Sequence, residues 1–205
     1  MYLLQNEYTY FDDPWPHIIV DNALPADVAE YMLQNFPSPG ASEKEQRQHK
    51  FLGTPEDRIF KEFIDINESR KQEFHSTLNS IFGQPSEELY NARCTFKCIP
   101  AHDGFKVIKP WHTDMPDKRY VVLLYLGGGP GGWYELGNPI TKQLKKYDFV
   151  HNRLIIYNNS SIAFHRFFAS DVSRRTISFG VKFTDPNRKN YNGIFSHLNL
   201  RDHLW

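Results

Sequence analysis

Two histidines, one aspartate and an arginine pair stand at spacings that could do chemistry together. His112 and Asp114 form an H-x-D pair within Trp111-His112-Thr113-Asp114. His165 follows 51 residues after Asp114, and Arg174-Arg175 begins nine residues after His165. Two imidazoles and a carboxylate suit one face of an Fe(II) ion, because they leave the opposite positions open. A cation just beyond the last of the three suits an acidic cosubstrate on that open side, with oxygen beside it. With 9 His in 205 residues the H-x-D spacing alone says little. An ordinary loop pair that caps a turn looks the same, so the surroundings carry the weight.

Those surroundings are strands and turns. Met115-Pro116-Asp117-Lys118 is a turn sequence. Arg119 through Leu126 is β-branched and aromatic enough for a buried strand. The H-x-D pair therefore lies at a rim where one strand ends and the next begins. Asn152 through Tyr157 reads as another strand, Asn158-Asn159-Ser160-Ser161 as a turn cluster, and Ile162 through Phe168 as the strand that returns with His165. The chain between Asp114 and His165 holds about four strands' worth of residues, enough to bring the two back together in a barrel. Ahead of this region the pattern is helical. Residues 26–35 follow Pro25, which suits a helix start. A second helical region spans roughly 55–82, with Ile59, Phe60, Phe63, Ile64 and Ile66 and then Phe74, Leu78 and Phe82 as its apolar stripe. Residues 41–50 are polar and read as a loop. From about residue 90 onward the signature is antiparallel and all-β, of the jelly-roll kind. The expectation is one domain over 1–205: a helical lead-in to about 88, a jelly-roll core over 89–184 and a tail over 185–205.

Several segments together resemble the 2-oxoglutarate/Fe(II) dioxygenases, in their prolyl-4-hydroxylase-like branch. Pro14 through Pro25 with Phe36-Pro37 is similar to that family's lead-in strand and first helix. Pro110 through Lys118 resembles its ligand loop, and Leu123 through Leu126 the strand after it. Asn152 through His165 resembles the hairpin that delivers the second histidine, and Arg174 through Phe179 the cosubstrate strand. The resemblance implies a mainly β fold, a double-stranded β-helix (jelly roll) flanked by N-terminal helices. It implies Fe(II) held by His112, Asp114 and His165, with 2-oxoglutarate and O2 in the remaining positions and ascorbate as an accessory reductant. It implies oxidative decarboxylation to succinate and CO2, coupled to hydroxylation of an unactivated C–H bond. A site without thiolates suits such oxidising chemistry.

The far carboxylate of 2-oxoglutarate needs a buried cation, and the planar fork of Arg binds a carboxylate through two parallel hydrogen bonds. Arg174 and Arg175 both qualify by position, but neighbours on a strand face opposite ways. Arg174 shares its face with Thr176 and Ser178, a polar set. Arg175 shares its face with Ile177 and Phe179. This patterning favours Arg174, as does the family's spacing from its second histidine. Tyr125 matches a family tyrosine that binds the same carboxylate; a core tyrosine is the competing reading. Some members carry a further tyrosine on the strand before the ligand loop, where this chain has Ile99. His102 lacks an H-x-D partner, and His151 reads as a surface residue. The presence of Asp114 favours hydroxylation over the halogenases, which lack that carboxylate. Gly180 stands where the nucleic-acid demethylases carry a second arginine, which argues against that branch.

Composition agrees. The 24 basic and 24 acidic residues balance, so no electrostatic case exists for nucleic acid or for a membrane surface. Cys94 and Cys98, four apart on one strand, would be roughly 13 Å apart, too far for a disulfide. They read as free thiols in a reducing, cytoplasmic setting. No transmembrane run or signal peptide is apparent. Gly127 through Gly132 lacks the Lys-Ser/Thr of a phosphate loop and reads as a sharp turn near the metal. Trp111, Trp133 and Tyr134 are open between core and substrate contact. The expected partner is a prolyl residue in a peptide or protein, by resemblance alone. A free amino acid or small metabolite is the alternative, and a non-catalytic metal-binding jelly roll the third reading. The tail from Asp185, with Asn187 through Asn190, resembles nothing assignable, and the sequence does not indicate an oligomeric state.

Overall fold

The computed structural model describes residues 3–4, 6–36, 57–92, 94–99, 101, 107–127, 132–168, 171 and 173–190. The polar loop at 41–50, His102, the centre of the glycine run and the tail beyond Asn190 lie outside these residues. Among the described residues three helices come from the lead-in: α1 (Ala26–Gln34), α2 (Asp57–Ser69) and α3 (Lys71–Ile81). Pro25 precedes α1, and Ala29 and Met32 are its buried face. The single helical region expected over 55–82 is two helices. Near the end of α2, the Asn67 side chain donates to the Phe63 carbonyl and the Ser69 hydroxyl to that of Ile66. Such side-chain bonds to the preceding turn loosen a helix. Arg70 then leaves helical geometry at φ −105° and ψ 16°, which redirects Phe74 and Leu78 onto the same core as Phe60 and Phe63.

Eleven strands among the described residues build two antiparallel sheets. In chain order they are β1 (Thr9–Phe11), β2 (His17–Val20), β3 (Leu89–Asn91), β4 (Thr95–Ile99), β5 (Val107–His112), β6 (Lys118–Leu126), β7 (Trp133–Gly137), β8 (Leu144–Asp148), β9 (Arg153–Asn158), β10 (Phe164–Phe168) and β11 (Arg174–Phe183). The larger sheet runs β1-β2-β9-β6-β11, and β3 and β4 share the far edge of β11 end to end. The smaller sheet runs β5-β10-β7-β8. This is the double-stranded β-helix.

The central strand β6 shows how the core is divided. Its residues Arg119 through Leu126 are all buried, but alternate side chains enter different cores. Tyr120, Val122, Leu124 and Leu126 pack beneath the helices with Ile177, Phe179 and Val181 of β11. Val121, Leu123 and Tyr125 point into the barrel with Ile155 and Tyr157 of β9, Tyr134 and Leu136 of β7, and Trp15. The helices therefore cover the outer face of the larger sheet, and the barrel interior is left for the site.

One expectation fails. β9 and β10 are not a hairpin: β9 pairs with β2 and β6, whereas β10 pairs with β5 and β7. The turn cluster Asn158 through Ser161 carries the chain from one sheet to the other. Asn159 fastens the crossover, its backbone N–H donating to the Arg119 carbonyl and its side chain to those of Met115 and Lys118.

His17, at the start of β2, makes stability depend on pH. It is fully buried, its Nδ1–H donates to the Trp15 carbonyl at 2.8 Å, and its Nε2 accepts the Tyr147 hydroxyl at 2.6 Å. Burial drives its pKa from 6.5 down to about 4, partly opposed by the Trp15 bond and assisted by Lys145. Below pH 6.5 the unfolded chain takes up a proton that the folded chain refuses until about pH 4. Stability therefore falls as pH drops through that window, by roughly 3 kcal/mol from this group. Urea midpoints for the wild type and His17→Gln across the window should show a shallower slope in the variant; equal slopes would discard the assignment.

Candidate functional site

The pairing of β5 with β10 sets His112 directly opposite His165. Opposed residues on an antiparallel pair share a face, and the two rings meet edge to face with centroids 4.1 Å apart. Asp114 follows two residues after β5 and turns its carboxylate to the same place. Its Oδ2 lies 3.6 Å from His165 Nε2, near the ~3 Å that two neighbouring ligands of one ion keep when each bond is about 2.1 Å. The Nδ1–H of His165 donates to the Ala163 carbonyl at 3.1 Å. That bond fixes the ring and leaves the Nε2 lone pair for the shared space.

Both oxygens of Asp114 already carry protein hydrogen bonds. Lys118 Nζ donates to Oδ1 at 2.7 Å, and the Tyr157 hydroxyl donates to Oδ2 at 2.5 Å. The same hydroxyl is 3.4 Å from His165 Nε2. Burial alone would raise the Asp114 pKa. The Lys118 ammonium, then His165, and the hydrogen bonds from Lys118 and Tyr157 outweigh it and hold the carboxyl well below the usual range. Asp114 is thus ionised, as a ligand must be, and each oxygen keeps a second lone pair. Among the described residues no group of three or more His, Cys, Asp or Glu is arranged to hold a metal ion as it stands, although the donor types suit Fe(II). Tyr157 was not singled out from the sequence. A tyrosine ending an apolar strand reads as core, and only its parity with Ile155 hinted that it points inward.

Arg174 lies deeper in the same interior. It is 7% exposed, and its guanidinium sits between the rings of Phe149 and Phe167, 4.8 and 4.6 Å from their centroids. Among the described residues its Nε and Nη1 find no hydrogen-bond partner. Nor, among those residues, do the Tyr125 hydroxyl or Thr176 Oγ1, both buried, whereas the Tyr134 hydroxyl lies against that of Tyr157. Thr176 pairs directly with Tyr125 across β11 and β6. Burial pushes the Tyr125 phenol well up, with Arg174 pulling the other way, so it stays protonated and able to donate. Burial does the same to Tyr134, which stacks on Phe167 at 4.7 Å. Ser178 continues the face of Arg174 and Thr176 but is only half-buried. Ile99 is the cross-strand partner of Arg174 on β4 and offers no polar atom.

Arg175 points the other way, toward Cys98, Leu126 and α1. A Cβ added at Gly127 would come within 3.6 Å of Arg175 Nη1 and 2.9 Å of Leu33 Cδ1. Gly127 has φ +76°, so both its conformation and this close approach call for glycine. Its N–H donates to His151 Nδ1 at 2.9 Å, and His151 is half-buried rather than at the surface. Cys94 and Cys98 are free thiols. Trp111 is fully buried beneath the Arg166 guanidinium, and Trp133 stacks on Phe168. No helix among the described residues is long and apolar enough to cross a membrane.

No protein-family model matches the sequence, and no curated protein matches it. Solved structures do. A prolyl 4-hydroxylase from Phytophthora capsici is similar with a TM-score of 0.59 and 18% identity over 83% of this chain, which spans only 60% of that enzyme. A prolyl hydroxylase from Trichoplax adhaerens, in complex with a hypoxia inducible factor peptide fragment, gives a TM-score of 0.56 and 18% identity over 82% of this chain and 83% of its own. A Pseudomonas putida prolyl-4-hydroxylase gives 0.53 and 17% over 83% and 87%. At such identities the likeness speaks for architecture. The chain has the double-stranded β-helix fold of the prolyl-4-hydroxylase-like 2-oxoglutarate/Fe(II) oxygenases.

Proposed function

We propose that this protein is an Fe(II)- and 2-oxoglutarate-dependent oxygenase that hydroxylates an unactivated C–H bond, with a prolyl residue of a peptide or protein as its substrate. The observation that carries the reading is the buried Arg174 guanidinium, whose Nε and Nη1 lack any partner among the described residues. A desolvated cation is costly unless an anion joins it. Here it faces a barrel interior that also holds the Tyr125 phenol and the Thr176 hydroxyl, both without a partner among the described residues. A dicarboxylate reaching from Arg174 toward His112, Asp114 and His165 would satisfy these groups together.

In this reading His112, Asp114 and His165 hold the iron, and Arg174 anchors the far carboxylate with Tyr125 and Thr176 donating beside it. Ser178 lies farther along the same face as a secondary contact. When bound, the iron supplies the oxygen activation that side chains cannot. The protein orients the ligands: Ala163 fixes the His165 tautomer, and Lys118 and Tyr157 keep Asp114 ionised and aimed. Phe149, Phe167 and Tyr134 keep water from the anchor. The prolyl substrate is supported by the fold shared with prolyl hydroxylases, one of them bound to a peptide.

Anaerobic titration of metal-free protein with Fe(II) and then 2-oxoglutarate tests the reading. A weak visible charge-transfer band is expected in the wild type, and neither band nor turnover in His112→Ala of unchanged fold. Iron binding without a band would reject 2-oxoglutarate, and no iron binding would reject the metal site. A panel of proline peptides and free amino acids, read by the mass gain of one oxygen, decides the substrate.

A further inference from the structure

The short turn between Asp114 and β6 is gripped from two distant parts of the chain. From the β9–β10 crossover, Asn159 Nδ2 donates to the carbonyls of Met115 at 2.8 Å and Lys118 at 3.1 Å, and its backbone N–H donates to that of Arg119 at 2.9 Å. From the segment after β11, the Asn190 backbone N–H donates to the Pro116 carbonyl at 2.8 Å. Asn190 Nδ2 donates to the Asn159 carbonyl at 2.5 Å and is shared with the carbonyls of Lys118 and Arg119 at 3.1 and 3.3 Å. Arg119 Nη1 donates back to Asn190 Oδ1 at 2.7 Å, and Arg119 is itself 5% exposed. The gripped backbone carries Asp114 at one end and its ion-pair partner Lys118 at the other.

We infer that Asn159 and Asn190 form a clamp that positions the Asp114 carboxylate, so that the chain leaving β11 is part of the support of the metal centre. The inference rests on the metal reading above. A ligand must be held within about 0.5 Å of its working place, and Asp114 belongs to a turn, not a strand. Asparagine suits the task, because its amide offers two donors to clustered carbonyls and, at Asn190, one acceptor to Arg119. Aspartate would set a carboxylate against those carbonyls. Neither asparagine is given a place in the chemistry; both act through Asp114 as positioning residues.

Co(II) is the probe, since it reports both affinity and ligand geometry without turnover. Asn190→Ala should weaken Co(II) binding about tenfold, the low end for groups that orient ligands through hydrogen bonds, and should change the shape of the visible d–d bands. Asn138→Ala is the control. Asn138 also ties loops together, donating to the Pro14 carbonyl and accepting from the Ile140 N–H, but these bonds run to segments other than the 114–118 turn. It should lower the melting temperature while leaving Co(II) affinity and spectrum as in the wild type. If Asn190→Ala does not fold, Asn190→Ser, which keeps one donor, should still bind Co(II) more weakly than the wild type. Unchanged Co(II) affinity and spectrum in a folded Asn190 variant overturn the clamp alone. Failure of the unsubstituted protein to bind Co(II) overturns the metal reading, and the clamp with it.

Discussion

Arg174→Met is expected to raise the 2-oxoglutarate requirement by two to three orders of magnitude and, at the same time, to raise the melting temperature of the ligand-free protein. The two effects have one origin. In the ligand-free fold the guanidinium is buried with Nε and Nη1 unpartnered among the described residues, and two aromatic faces replace only part of the hydration a buried cation loses. Methionine fills a similar volume between Phe149 and Phe167 without that cost. A bidentate charge-assisted pair contributes roughly 3–4 kcal/mol to binding, and each 1.4 kcal/mol is about tenfold. Arg175→Met should leave the 2-oxoglutarate KM within about twofold, because that side chain faces Cys98 and α1. The readouts are KM for 2-oxoglutarate and thermal melting of the apoprotein. A lower melting temperature with unchanged KM in Arg174→Met would mean that the arginine is structural.

The second large effect concerns the turn that leads into β9, whose Asn152 N–H donates to the Tyr125 carbonyl. Asn152 stands at φ 59°, a region costly for most residues and tolerated by asparagine and glycine. Its side chain binds both polar groups of one backbone unit, with Oδ1 accepting the Leu24 N–H at 2.9 Å and Nδ2 donating to the Leu24 carbonyl at 2.8 Å. It is 3% exposed, so neither bond can be replaced by water without rearrangement. Asn152→Ala leaves two buried backbone groups unsatisfied and strains the turn, a loss of about 4 kcal/mol. Asn152→Gly relieves the strain and should lose about 1 kcal/mol less. Since a domain of this kind is stable by only about 5–15 kcal/mol, urea unfolding should show the alanine variant near the edge of folding. Losses below 1 kcal/mol in both variants would show that the Leu24 bonds contribute little.

Local patterning made some of this legible in advance. The period-two alternation of a strand separates Arg174 from Arg175 without any knowledge of the partner strands, and it placed Thr176 beside Arg174. The apolar stripe of Phe74, Leu78 and Phe82 marked α3 for the same reason. What local patterning does not carry is the partner of a strand. Asn152 through Phe168 reads strand, turn, strand, and the simplest closure is a hairpin. The crossover to the second sheet depends on β2 and β6 claiming both edges of β9, chain distant in sequence. Asn190 was invisible for a related reason. It stands in a polar stretch without periodicity, and its partners at Pro116, Lys118 and Arg119 are more than seventy residues away. The break at Arg70 was written in Asn67 and Ser69, but their helix-loosening bonds compete with an otherwise continuous apolar stripe.

The double duty of β6 bears on how this protein can change over time. Because its odd and even side chains serve separate interiors, loss or gain of one residue between Tyr120 and Leu126 would exchange the two sets. Tyr125 would move under the helices, and leucines would line the barrel beside Arg174. Such a strand tolerates substitution at each position by residues of like size but not a change of length. Drift in this protein should therefore collect its insertions and deletions in the connections, while β6 keeps its count.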